Sequence, residues 1–218
     1  MSANKQELGL LCCVWDDPRG IMRMLDTKTI TDFDYVCFFD GMFEQWKGIP
    51  EFPFDEVLNV VKDWGNTHEF INVYHEFVVG KTEAEKRNHM MARAYQIGME
   101  WGLVVDADEI PYIDINKWNE EKYKLKDSSF GCHSIMLDNY GHPQRRPRLF
   151  NMREQPYLNK TEGMGDHSRI YSSRDGRDMA QDITKTTANV ESITLKHDKE
   201  FYTKSKLTER EEFGKTKH

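Results

Sequence analysis

The sequence lacks the features that mark several common classes of protein. No apolar run approaches the roughly 20 residues of a membrane helix, and the first segment, MSANKQELG, has no apolar stretch of a signal peptide. The four cysteines form no C-x-x-C pair and lie among apolar residues, which is typical of reduced core cysteines. We therefore expect a cytoplasmic protein without a membrane span, disulfide bonds or a thiolate metal site.

The sequence also lacks an excess of positive charge, with 30 Lys and Arg residues against 37 Asp and Glu residues. The formal net charge is −7 at pH 7, although 31% of the residues are charged. Proteins that coat nucleic acid without sequence preference rely on a basic surface, so this balance argues against that class. A hydrophobic fraction of 38% over 218 residues is enough for one packed core, and we expect a single domain over residues 1–218.

Short apolar runs alternate with helical patterns through the first half of the chain. The runs LGLLCCVW (8–15), YVCFFD (35–40) and HEFINVYHEFV (68–78) predict strands, and FPFDEVLNVVKDWG (52–65) predicts a helix. This alternation is typical of a parallel sheet covered by helices. The later runs SSFGCHSIMLDNYG and RPRLFNMREQPYL predict an antiparallel or mixed section, so the expected fold class is α/β with a mixed central sheet.

Another helix is predicted to begin near residue 82. Thr82 followed by Glu85 forms a capping box, in which each side chain bonds the backbone N–H of the other residue. One stripe at helical spacing then follows, formed by Ala84, Arg87, Met91, Ala94 and Gly98. Arg87 therefore lies on the core-facing side near the start of the helix, where an unpaired cation is unexpected.

The stretch WGLVVDADEI (101–110) ends a buried strand with three acids within four positions. Repulsion and desolvation make such a group costly unless a cation neutralises it. Asp106 and Asp108 have the i, i+2 spacing that points both side chains the same way from an extended segment. Hard oxygen donors favour Mg²⁺ or Mn²⁺, which usually add substrate phosphates as ligands. The pattern predicts a nucleotide or diphosphate substrate; alternatively, the acids only cap the turn that follows.

The stretch EKRNHMMARAYQIGMEWGLVVDADE (85–109) resembles the nucleotide-sugar-dependent glycosyltransferases of the GT-A fold, especially family 2. The resemblance is carried by Arg87-Asn88, Ala94, Gly98 and the D-x-D motif Asp106-x-Asp108-Glu109. It implies a Rossmann-like three-layer sandwich with a mixed central sheet. It also implies sugar transfer from a nucleoside-diphosphate sugar, most simply a UDP-sugar, to an acceptor hydroxyl, with inversion and with a Mn²⁺ or Mg²⁺ cofactor.

The resemblance also implies how the chain is divided. Residues 1–110 would form the nucleotide-sugar-binding half, and residues 111–195 the acceptor-side half. Residues 172–192 have few apolar side chains and no clear period, which predicts a mobile loop. Residues 196–218 would form a polar C-terminal tail.

In the family, the acid that ends the second strand contacts the nucleobase, and Asp40 occupies that position. The residues usual after it are absent, because FFDGMFEQW lacks the Ser and second Asp of the family pattern. Trp15 and Asp16 would line the same pocket, although Trp15 also suits core packing. Arg87 would contact Asp106 or a phosphate; a purely structural ion pair is the alternative.

By the family pattern, Asp106 and Asp108 would hold the metal and the ribose-diphosphate end of the donor, and His197 would be a third metal ligand or a phosphate ligand. A lone histidine is more often a satisfied core or surface residue. The stretch HPQRRPRLFNMR (142–153) contains no acid and would bind either an anionic acceptor or the donor diphosphate, with Arg148 as the predicted donor-binding residue. The alternative for that stretch is a solvated edge strand guarded by cations.

An inverting transferase needs a base for the proton of the acceptor hydroxyl. Asp166 is the first candidate, followed by His167 and then Glu162. The acceptor would be a glycan or a hydroxylated DNA base. Two other functions remain open: a nucleotidyltransferase, for which CCVWDDPRG lacks the expected glycine-rich phosphate loop, and a non-catalytic binding module of the same fold.

Overall fold

A computed structural model of the chain describes residues 8–14, 17–41, 55–78, 82–126, 132–139, 141–159, 169–172 and 189–197. The candidate residues Trp15, Asp16, Glu162, Asp166 and His167 lie outside these ranges. So do most of the predicted loop and nearly all of the predicted C-terminal tail.

The first half of the chain alternates strand with helix. The strands are β1 (Leu8–Val14), β2 (Tyr35–Asp40), β3 (Asn72–Phe77) and β4 (Trp101–Asp106). The helices are α1 (Pro18–Leu25), α2 (Asp55–Thr67) and α3 (Glu83–Gln96), with a 3₁₀ helix at Lys28–Asp32. β1 pairs with β2 and with β4, and β2 with β3, all in parallel. The predicted parallel section is confirmed, and so is the capping box of Thr82 and Glu85 that begins α3.

The second half adds antiparallel pairs. Its elements are β5 (Glu109–Ile113), α4 (Ile115–Lys126), β6 (Cys132–Asn139), β7 (His142–Asn151), a 3₁₀ helix (Met152–Glu154), β8 (Pro156–Asn159), β9 (Arg169–Ser172) and β10 (Asn189–His197). β7 runs antiparallel to β4 and β6, and β10 runs antiparallel to β5 but parallel to β6.

The central sheet has eight strands in the order β3-β2-β1-β4-β7-β6-β10-β5, and β8 pairs with β9 in a separate ribbon. The predicted mixed sheet is confirmed. The sequence did not predict β5 and α4. The boundaries of the predicted loop 172–192 are also wrong, because Ser172 ends β9 and β10 begins at Asn189.

Apolar side chains pack on both faces of the sheet. One face buries Leu10, Cys12 and Val14 of β1 against α1, α2 and α4. The other face buries Leu11 and Cys13 of the same strand with Met90, Met91 and Ala94 of α3. Because successive side chains point to opposite faces, β1 is apolar throughout. The structure is therefore a three-layer α/β sandwich, as predicted.

No helix in the described ranges is long and apolar enough to cross a membrane. The carboxyl ends of β1, β2 and β4 meet at one edge of the sheet, because these strands are parallel neighbours. Ligands of open α/β sheets bind at this edge.

Candidate functional site

Asp106 ends β4, and one of its cationic partners comes from α3. Nη2 of Arg87 donates to Oδ1 of Asp106 at 2.7 Å. The capping box fixes the start of α3, which places Arg87 in the second turn over the end of β4. The predicted contact between Arg87 and Asp106 is confirmed, and it explains why a cation lies on the inner side of this helix.

A second guanidinium reaches Asp106 from β7. Nη2 of Arg148 lies 2.7 Å from Oδ2 of Asp106 and 2.7 Å from Oε1 of Glu109. Pairing of Leu103 with Leu149 aligns β7 beside β4, so Arg148 lies close to the strand end. Each carboxylate oxygen of Asp106 therefore accepts a hydrogen bond from a different arginine.

Glu109, the first residue of β5, is fully buried and joins Arg148 to a histidine. Its Oε1 lies 3.1 Å from Nε2 of His197, which is its partner in the pairing of β5 with β10. Its Oε2 accepts the backbone N–H of Asp106 at 2.9 Å. We call Arg87, Asp106, Glu109, Arg148 and His197 the strand-end cluster.

Opposite charges in this cluster stabilise one another. Burial alone would raise the pKa of Asp106, but the charges of Arg87 and Arg148 hold that pKa well below its usual value. Burial opposes the charge of Arg148 as well, yet Asp106 and Glu109 raise its pKa. The pKa of His197 is raised, mainly by its hydrogen bond with Glu109 and, against burial, by the charges of the nearby acids including Asp108.

The geometry of Asp106 and Asp108 differs from the sequence-based prediction. β4 ends at Asp106, a two-residue turn follows, and β5 begins at Glu109. The i, i+2 argument requires one extended segment, so it does not hold across this turn. Glu109 instead turns back to bond the backbone of Asp106.

The donors at this turn do not fit the predicted Mn²⁺ or Mg²⁺ site. Among the described residues, no group of three or more His, Cys, Asp or Glu side chains is arranged to hold a metal ion. Both oxygens of Asp106 are engaged by guanidinium groups. A ligating histidine must also be neutral, whereas the contact with Glu109 favours protonated His197. The predicted ligands Asp106, Asp108 and His197 therefore form no metal-binding set here.

Asp40 ends β2 and is fully buried at the same edge of the sheet. Nε2 of His75, on the neighbouring strand β3, lies 3.6 Å from its Oδ2. Within the described part of the chain, neither carboxylate oxygen of Asp40 accepts a hydrogen bond. A buried carboxylate with open acceptor capacity suits a ligand that brings N–H or O–H donors.

Lys86 is a residue of this edge that the sequence analysis missed. Its fully buried side chain donates from Nζ to the backbone oxygens of Val14 and Gly41, each at 2.7 Å. Burial lowers its pKa. Lys86 thus holds the carboxyl ends of β1 and β2 together. A signal was present, because Lys86 lies on one i, i+4 line with Met90 and Ala94, both of them buried.

Two other arginines of the stretch 142–153 are neutralised away from the site. Arg145 pairs with Glu191 of β10, and Nη2 of Arg153 lies 2.6 Å from Oε1 of Glu100. The acidic partners lie far from this stretch in the sequence, so the sequence of the stretch itself gives no sign of them. Of these three arginines, Arg148 is the one that reaches the strand-end cluster.

Comparison with solved structures finds low similarity. The chain superposes on S. aureus TarS with a TM-score of 0.46 and 12% identity, over 70% of this chain and 30% of that one. For S. aureus TarS 1–349 in complex with UDP, the TM-score is 0.37 and the identity 13%, over 62% of this chain and 37% of that one. For 4-diphosphocytidyl-2C-methyl-D-erythritol synthase from Anaerococcus prevotii, the TM-score is 0.41 and the identity 10%, over 68% of this chain and 71% of that one.

This chain thus spans less than half of the length of these TarS chains. No protein-family model matches the sequence, and no curated protein matches it. All of these TM-scores lie below 0.5, so the function is inferred from the chain's own residues.

Proposed function

We propose that this protein is a glycosyltransferase that moves a sugar from a nucleoside-diphosphate sugar to an acceptor hydroxyl with inversion. The observation that carries the proposal is that the strand-end cluster and buried Asp40 both lie at the carboxyl edge of the parallel strands. One part of this edge offers guanidinium groups, which suit phosphates. The other offers a carboxylate, which suits the N–H groups of a nucleobase.

The spacing of these groups along the sheet supports a nucleotide. Asp40 ends β2 and Asp106 ends β4, and β1 lies between these two strands. Neighbouring strands are about 4.8 Å apart, so the two carboxylates stand on the order of 10 Å from each other along the sheet. That span is comparable to the separation between the base and the phosphates of a nucleotide.

In the proposed reaction, the acceptor oxygen forms a bond to the anomeric carbon while the bond from that carbon to the diphosphate oxygen breaks. The acceptor proton passes to a base, for which Asp166, His167 and Glu162 remain the predicted candidates. Negative charge grows on the departing diphosphate, so fixed positive charge beside it lowers the barrier. Arg87 and Arg148 are the described residues that supply such charge.

The finer parts of the proposal come from the sequence. A UDP-sugar is the first donor to test; one TarS structure holds UDP, and an acceptor glycan or hydroxylated DNA base remains the expected partner. Trp15 and Asp16 are proposed to line the base pocket with Asp40. The cytoplasmic location stays a prediction. A Mn²⁺ or Mg²⁺ ion bound to Asp106 would have to displace both arginines from that carboxylate.

A thermal screen of nucleotide sugars tests the proposal. A donor that binds only the folded state adds about 2.7 kcal/mol to the free energy of unfolding at a hundredfold excess over its Kd. The melting temperature rises as a result. Asp40→Asn should weaken donor binding about tenfold or more, because it replaces a charged acceptor. Asp63→Asn, at an exposed position of α2, is the matched control and should have no effect.

The stabilising donor is then incubated with candidate acceptors. Release of a nucleoside diphosphate is the expected result, whereas release of a sugar 1-phosphate, by transfer of the nucleotidyl group, would show a nucleotidyltransferase instead. If no nucleotide sugar stabilises the protein, with or without Mn²⁺, the proposed function is wrong.

A further inference from the structure

The two carboxylates of the strand-end cluster are already compensated without a metal ion. Asp106 and Glu109 carry the two carboxylates that the arginines contact, and Arg87 and Arg148 carry the two compensating charges. A divalent cation at Asp106 would lie next to two fixed guanidinium groups and would repel both of them. The positive charge that the D-x-D motif seemed to require is therefore supplied by the chain itself.

Arg148 also has hydrogen-bonding capacity to spare. Its contacts to Asp106 and Glu109 both use Nη2. Among the described residues, none accepts from its Nε–H or its Nη1–H groups, and a guanidinium offers five N–H donors in all. These remaining donors form the planar fork that binds two phosphate oxygens at once.

An anion can approach this cluster. Asp106 is 32% exposed and Arg148 is 14% exposed, whereas Glu109 beneath them is fully buried. The buried contact with Glu109 fixes Arg148 in place, and the more exposed contact with Asp106 is the one that an incoming anion competes with. The cluster thus combines a buried contact that stays in place with a partly exposed contact that an anion can replace.

We infer that Arg87 and Arg148 bind the diphosphate of the donor directly, in exchange for Asp106, and that this binding needs no divalent cation. The inference rests on the proposed function, since it names how that same site holds its substrate. In the free protein, Asp106 occupies the arginines as an internal anion. When the diphosphate arrives, it takes over hydrogen bonds of the same type and charge.

The exchange predicts an effect of Asp106→Asn that is opposite to the effect expected of a metal ligand. If Asp106 competes with the diphosphate for the arginines, its removal strengthens the binding of a bare diphosphate. If Asp106 instead holds a metal that holds the diphosphate, the same change abolishes binding. Inorganic pyrophosphate is the right probe, because it lacks a sugar or base that Asp106 could contact in another way.

The experiment is calorimetric titration of the full chain with pyrophosphate, once with EDTA and once with Mg²⁺. We expect the same affinity in both conditions, within about threefold, and an affinity at least as tight for Asp106→Asn. Arg148→Lys keeps the charge beside Glu109 but loses the fork, and Arg87→Gln loses a charge; each should weaken binding about tenfold or more. Arg93→Gln, on the same helix as Arg87 but bonded to Tyr74, is the control and should bind like the unchanged protein.

Mn²⁺ alone is titrated in parallel, with free Mn²⁺ followed by its electron paramagnetic resonance signal. Stoichiometric Mn²⁺ binding that Asp106→Asn abolishes would overturn the inference. Pyrophosphate binding that requires Mg²⁺ would also overturn it. So would a failure to bind pyrophosphate both with EDTA and with Mg²⁺. Melting curves of each variant show whether a loss of binding comes from unfolding. If Arg87→Gln unfolds, Arg87→Lys takes its place.

The proposed function fails separately from this inference. Metal-free pyrophosphate binding that needs both arginines, together with no binding of any nucleoside diphosphate, would retain the anion site and reject the glycosyltransferase. Binding of a nucleoside diphosphate only with Mn²⁺ or Mg²⁺ would retain the glycosyltransferase and reject the metal-free site.

Discussion

Two regions of the molecule place an arginine and a histidine on a carboxylate, and they differ in burial. In the strand-end cluster, Glu109 is fully buried beneath Arg148 and His197. The second region, which we call the β3–α3 cluster, consists of Tyr74, Glu76, His89 and Arg93. There Glu76 accepts from Tyr74 Oη at 2.7 Å, lies 2.7 Å from Nε2 of His89, and has Arg93, 40% exposed, at 3.6 Å.

The two regions also differ in how the chain builds them. The β3–α3 cluster joins one strand to the helix that follows it, whereas the strand-end cluster joins α3, β4, β5, β7 and β10. Water can replace a lost partner in the first but not beneath the second. The same three side-chain types therefore form a surface contact in one place and a buried centre in the other.

The largest effect is expected from Arg148→Met. It leaves Glu109 buried with a charge that is only partly compensated, and breaking such a pair costs about 3–5 kcal/mol of unfolding free energy. Urea denaturation measures this change. Arg93→Met is the matched variant in the β3–α3 cluster and should give no measurable loss. Equal losses in the two variants would contradict the role given to burial.

A smaller effect is expected in acid. The pKa of Asp106 is lowered in the folded state, chiefly because Arg87 and Arg148 outweigh the effect of burial. Its contribution is complete above its ordinary pKa of about 4 and is lost as the pH falls from there toward the lower folded value. Stability should drop by on the order of 2 kcal/mol over that range.

Asp106→Asn should remove much of this acid-dependent loss. Glu76→Gln is the comparison: the pKa of Glu76 is also lowered, because hydrogen bonds from Tyr74 and His89 outweigh burial. Hydrogen bonds, and not the charges of two arginines, are the main cause that lowers the pKa of Glu76, so the flattening should be weaker there. Unfolding free energies between pH 5 and pH 2 give both values, and an Asp106→Asn profile as steep as that of the unchanged protein would contradict the assignment.

The smallest effect is expected near neutral pH and belongs to His197. Its raised pKa, caused first by the hydrogen bond with Glu109, means that the folded state binds its proton more tightly than the unfolded chain does. The contribution is complete below about pH 6.5 and is lost as the pH rises through the raised folded value. His197→Gln should flatten the decline of melting temperature above pH 6.5. An unchanged slope would show that another group causes it.

The sequence predicted the first half of the fold well because its signals are local. The apolar runs of β1 and β2 and the capping box at Thr82 and Glu85 depend on nearby residues only. The sequence missed β5 because the acidic turn hides a five-residue strand. It missed α4 because a polar helix with charged residues on most sides has little periodic signal.

For the candidate site, the sequence predicted acids at the end of a buried strand and one contact that the structure contains. Arg87 was placed on the inner side of α3 and does contact Asp106. Glu109 and Lys86 were not identified as key groups, since a buried charge next to a more prominent one gives no separate pattern. Whether Arg148 and His197 bind a donor remains a prediction, although both reach the strand-end cluster.

By itself, the sequence determined that the chain forms an α/β sandwich and that three acids follow a buried strand. Only the tertiary structure decided what neutralises those acids. The partners lie far along the chain: Arg148 is 42 residues from Asp106, and His197 is 88 residues from Glu109. Electrostatic pairing depends on distance in space, and the pairing of β4 with β7 and of β5 with β10 creates that proximity.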